Sequence, residues 1–90
     1  MGTLRYGADS YVVADKDLVG LQLATVGAFQ HRQGFFVELQ GPQSTVALSF
    51  SPGVPIAFKI DTTDPIHSGA DVVAGWVRQA EKGGTVEIPV

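Results

Sequence analysis

The sequence predicts an α+β fold in which a mostly antiparallel sheet of five to seven strands, open or curled towards a barrel, carries one C-terminal amphipathic helix and a short edge strand after it. Three observations predict it. Apolar residues recur at every second position between Val37 and Ile60, the period of strands with one buried face. The interruptions, GPQS at 41–44 and SPGV at 51–54, are Pro/Gly connections of hairpin length. Later in the chain the period changes: Val73, Trp76, Val77 and Ala80 recur at i, i+3, i+4 and i+7, which is one stripe of a helix.

Taken from the N-terminus, SYVVA (10–14) and VGLQLATVGAF (19–29) read as strands separated by a turn at Asp15, Lys16 and Asp17. The second of these changes phase, with Leu21 and Leu23 on one side and Val26 and Ala28 on the other, so it either carries a bulge near Ala24 and Thr25 or splits in two. QHRQG (30–34) turns the chain into a meander. In FFVELQ (35–40) Val37 and Leu39 oppose Phe36, Glu38 and Gln40. In STVALSF (44–50) Val46, Leu48 and Phe50 share a side, and in PIAFKID (55–61) Ile56, Phe58 and Ile60 do so. The helix is expected within residues 68–84, with Ser68 and Asp71 as its start signal, Lys82 in its last turn and Gly83 as its left-handed stop. TVEIPV (85–90) is the final strand, and Pro89, which has no N–H to donate, assigns it to a sheet edge. Trp76 is expected to cover the apolar face of the sheet. Ninety residues make a single domain, 1–90.

Composition narrows the function classes. The chain carries a net charge of −3, and its six Lys and Arg are scattered singly, so the clustered cations that bind phosphate backbones are missing and no nucleic-acid partner is expected. No apolar run is long enough to span a membrane, and MGTLRYGADSY has no signal-peptide pattern, which favours a cytoplasmic location. The absence of cysteine removes thiol catalysis and zinc–thiolate sites. Glycines occur without G-x-G-x-x-G or a Walker-type lysine, so no phosphate cradle is expected, and neither a metal nor a cofactor is assigned. Asp15, Lys16 and Asp17 could open a calcium loop, but the later acidic ligands do not follow. His31 beside Arg32 is a solvated turn residue, with no nucleophile elbow among the serines for it to activate.

Two features remain. KIDTTDPIHSG (59–69) places Asp61, Asp64 and His67 at three-residue intervals, a set that could converge on a small ligand or move a proton, although each residue also suits a strand-to-helix bend. The outer face of the sheet is short of charge, in a chain with only 17% charged residues against about 25% in ordinary domains. There Phe36 faces out, sharing its side with Ala47, Ala57, Val26 and Ala28. The expected function is therefore a small non-catalytic protein-interaction module that forms a homo-oligomer or docks on a larger protein. The alternatives are the ligand or acid/base site at Asp61, Asp64 and His67, and an acidic inhibitor or immunity-type protein.

Overall fold

The computed structural model describes residues 1–62 and 69–90. In chain order the elements are β1 (Gly2–Tyr6), β2 (Asp9–Val13), α1 (Asp15–Gln30), β3 (Phe35–Gln40), β4 (Thr45–Phe50), β5 (Ile56–Lys59), α2 (Ala70–Glu81) and β6 (Thr85–Pro89). Among the described residues the strands form two three-stranded sheets, ordered β2-β1-β5 (sheet A) and β4-β3-β6 (sheet B). This corrects the expected architecture. There are two helices, the longer of them in the N-terminal part of the chain, two sheets in place of one meander, and no closure into a barrel.

The largest revision is residues 15–30, expected as a turn and a bulged strand and found as a sixteen-residue helix. Leu18, Leu21, Thr25 and Ala28 are buried at i, i+3, i+7 and i+10, the helical period, and Ala24 joins them. Asp15 and Asp17 occupy the first turn, where the helix dipole favours negative charge. From Leu18 to Gln30 there is no charged residue. A helix apolar on every side gives no amphipathic signal, because more than one of its faces is covered. Its end is irregular: Arg32 adopts a left-handed conformation (φ 55°) and the Gln33 N–H returns to the Ala28 carbonyl at 2.9 Å.

β1 and β2 form a hairpin around Gly7, which supplies the positive φ (59°) that the tight turn needs. β5 leaves the expected meander: after Phe50 the Ser51–Pro55 connection carries the chain away from β4, and β5 pairs antiparallel with β1, Tyr6 opposite Ile56 and Thr3 opposite Lys59. β3 and β4 keep the expected hairpin, with Phe35 opposite Phe50 and Gln40 opposite Thr45. β6 lies parallel to the other side of β3, Val37 opposite Val86 and Leu39 opposite Ile88.

One apolar cluster joins these parts. Leu4 and Val13 come from sheet A, Phe35, Val37, Leu39, Leu48, Phe50, Val86 and Ile88 from sheet B, and Leu18, Leu21, Ala24 and Ala28 from α1. A run of four rings crosses it: Phe29 of α1 against Phe35 (centroids 6.2 Å apart), Phe35 against Phe50 (5.3 Å), and Phe50 stacked on Tyr6 (5.9 Å). Beyond the last ring, the Tyr6 hydroxyl donates to the Ser49 carbonyl at 2.6 Å.

α2 has the expected stripe but a different seat. It packs along α1, and Trp76 is half-buried over Gly20, where a Cβ would lie 2.9 Å from the indole ring. The expected placement of Trp76 across the sheet face is corrected accordingly. The bare backbone of Gly20 lets the two helices approach, so a strand-facing Trp is not needed to bury the stripe. The expected Ser68 cap lies outside the described residues. The stop is as expected: Gly83 has φ 72°, its N–H reaches the Ala80 carbonyl, and Gly84 reaches Gln79 at 2.8 Å, the paired bonds of a Schellman turn.

Gly20→Val should force the indole off α1 and destabilise the fold by about 1–3 kcal/mol, the usual cost of overpacking. A chemical denaturation midpoint lowered with an unchanged slope, together with a shift in tryptophan fluorescence, would check it; an unchanged midpoint would contradict the Gly20–Trp76 contact.

Candidate interaction surface

The outward side of sheet B is set by its register. Side chains at Val37, Leu39, Leu48, Phe50, Val86 and Ile88 enter the core, so Phe36, Glu38 and Gln40 of β3 face out, flanked by Ser49, Ala47 and Thr45 of β4 and by Thr85, Glu87 and Pro89 of β6. Phe36 is 51% exposed. Ala47 is exposed on the neighbouring strand, diagonal to it and within reach of a phenyl ring.

The five residues expected to share one outer face are distributed over four places. Phe36 and Ala47 are together on sheet B. Ala57 is exposed on sheet A, opposite Arg5. Val26 is 51% exposed on α1, next to a 53% exposed Leu23. Ala28 is fully buried in the core. The reason is the helix: residues two apart on a helix are separated by about 200° around the axis, so Val26 and Ala28 cannot share a side.

The face also carries charge that alternation alone did not reveal as a pair. The parallel register puts Glu38 directly opposite Glu87. Glu38 is half-buried and Glu87 exposed, and neither has an ion-pair partner among the described residues. Like charges directly opposite one another on a sheet repel.

Of the second candidate site, Asp64 and His67 lie outside the described residues. Asp61 is exposed, and its backbone N–H donates to the Asp15 carboxylate at 3.3 Å. Among the described residues no group of three or more His, Asp or Glu side chains is placed to hold a metal. His31 is the exposed C-terminal cap of α1, its backbone N–H bonded to the Ala28 carbonyl. No helix among the described residues is long and apolar enough to cross a membrane.

Sequence reasoning missed a pocket of about 90 Å³ between the helices, lined by Lys16, Asp17, Gly69, Val72, Val73 and Trp76. It is small beside the roughly 300–1,000 Å³ of ordinary ligand sites. Burial pushes the Asp17 carboxyl above its ordinary range, while the Lys16 ammonium draws it back. No signal in the sequence could have found it, because the residues at 15–17 read as a turn.

No protein-family model, curated protein or solved structure matches the chain.

The raised Asp17 value has a testable sign. Below the unfolded carboxylate pKa both states hold the proton and no penalty exists; as pH rises towards the folded value, the unfolded chain ionises first and folding is disfavoured. Asp17→Asn should therefore gain on the wild type between acid and neutral pH, read as the difference in melting temperature across that range. A constant difference would show that Asp17 is as well solvated folded as unfolded.

Proposed function

We propose that the protein is a non-catalytic interaction module that self-associates through the exposed side of sheet B. The observation that carries this reading is Phe36, a half-exposed phenyl on a strand whose other large apolar side chains are buried. Two further facts support it. Ala47 extends the apolar surface to the sheet margin, and the low charge content of the chain leaves that margin without Lys, Arg, Asp or Glu from Thr45 to Phe50.

Phe36→Asp tests the reading, because the side chain leaves the core untouched while adding a charge to the contact surface. Sedimentation velocity should give the wild type a concentration-dependent mass above that of a monomer, and the variant an association weakened about tenfold or more, with an unchanged circular dichroism spectrum. A wild type that stays monomeric throughout the accessible concentration range removes the reading.

A second reading is favoured by the Glu38–Glu87 pair: an acidic face that docks on a basic surface of another protein, as an inhibitor or immunity-type protein does. A cation arriving between two repelling carboxylates relieves them both. Association with a basic partner through this pair would weaken as salt is raised from about 50 mM to 500 mM, and salt-insensitive association would count against it.

A further inference from the structure

We infer that two copies of the chain join through the free edge of β4, in antiparallel register with Thr45 opposite Ala47 of the partner subunit, making one six-stranded sheet. The inference rests on the self-association proposed above and specifies where and how it occurs.

The hydrogen-bond phase of β4 is fixed at both ends. The Gly41 N–H donates to the Ser44 carbonyl, so the closely bonded pairs of the β3–β4 ladder are Gly41–Ser44, Leu39–Val46, Val37–Leu48 and Phe35–Phe50. The alternate residues Thr45, Ala47 and Ser49 consequently aim their N–H and C=O groups away from β3. At one end of this row the Ser49 carbonyl already accepts the Tyr6 hydroxyl. At the other end Thr45 and Ala47 make no backbone hydrogen bond to any other described element, and β3 is the one element with which β4 makes extensive contact among the described residues.

These free groups select a register. An antiparallel pairing of two copies across a two-fold axis at Val46 makes each Thr45 a bonded pair with Ala47 of the partner subunit. It uses four N–H···O=C bonds and draws only on groups that are unoccupied. Centring the pairing on Ala47 would require the Ser49 carbonyl that Tyr6 holds. Val46, half-buried in each copy, then meets Val46 of the partner subunit in the close, non-bonded position next to the axis. The same register brings Gln43 of the partner subunit opposite Ser49, the residue paired with Phe36, which connects the edge to the exposed phenyl.

A second copy is the fitting occupant for reasons of charge. Each copy carries −3, so a self-contact must avoid carboxylates. TVALSF brings no charge to its seam, and pairing through it leaves the Glu38 and Glu87 pairs of the two copies apart on the face beside it. The other three edges are guarded in the usual ways: β2 begins with Asp9, β5 ends with Lys59, and β6 holds Glu87 and Pro89. β4 alone among the described strands has neither charge nor proline.

The test compares three variants with the wild type by sedimentation equilibrium and amide exchange, over about 1 µM to 1 mM because a contact of a few strand residues belongs to the weak class of interfaces. Ala47→Pro removes an outward N–H that the β3 ladder does not use, Thr45→Lys places a charge on the seam, and Phe36→Asp alters the face alone. Expected are a wild-type dimer, Thr45 and Ala47 amides that gain protection at least tenfold as concentration rises, and loss of dimer in both edge variants with the monomer fold retained by circular dichroism. A dimer that survives Thr45→Lys and Ala47→Pro but fails in Phe36→Asp overturns the edge register and leaves the broader reading standing. A monomeric wild type overturns both, and open-ended aggregates in place of a dimer overturn the two-fold pairing. If Ala47→Pro does not fold, Thr45→Lys and the exchange pattern still decide.

Discussion

The two sheets are joined by aromatic contacts more than by any shared strand. Tyr6 belongs to sheet A and Phe50 to sheet B; their stacked rings, continued through Phe35 to Phe29 on α1, are the seam on which the rest of the arrangement depends. A sheet of three strands needs its apolar face covered to be stable. Here each gains a partner through rings that remove large apolar areas from water, and the hydroxyl of Tyr6 reaches past the stack to a carbonyl of β4. The seam also determines what remains open. By occupying Ser49, Tyr6 closes one end of the β4 margin and leaves the end at Thr45 and Ala47 free.

α1 is the second organiser, and its uncharged length explains much of the molecule's economy. One side meets strand residues from both sheets through Leu18, Leu21 and Ala28, while Gly20 admits the indole of Trp76 and Gly27 lies beside Val77 and Glu81 of α2. Small residues at Gly20, Ala24 and Gly27 let the helices lie close, and dispersion at short range substitutes for long side chains. Leu23 and Val26 remain outside this double covering and stay wet.

How far the residues disclosed this arrangement depends on whether a segment meets the core on one side or several. β3 and β4 were legible because each has one dry and one wet face, so Val37, Leu39, Leu48 and Phe50 alternate cleanly. α2 was legible for the same reason at the helical period. α1 was not: covered on more than one side, it has no polar stripe, and Val19, Thr25 and Val26 with two glycines resemble a strand more than a helix. The signal that survived was the spacing of Leu18, Leu21, Thr25 and Ala28 behind two first-turn aspartates. β1 was hidden by its brevity, with only Leu4 and Tyr6 to alternate. At the surface, Phe36 could be read from alternation alone, but the adjacency of Glu38 and Glu87 could not, since a parallel neighbour is chosen by the topology and not by any local turn.

The parallel pairing of β3 with β6 has a consequence for the order in which the molecule assembles. β3 finds β4 at once, across a few residues, but its other neighbour arrives only after β5 and α2 have been synthesised and docked. Closing so long a loop is entropically slow. Until β6 docks, the β3–β4 hairpin has two unpaired margins, and the β4 margin carries neither charge nor proline to deter another strand.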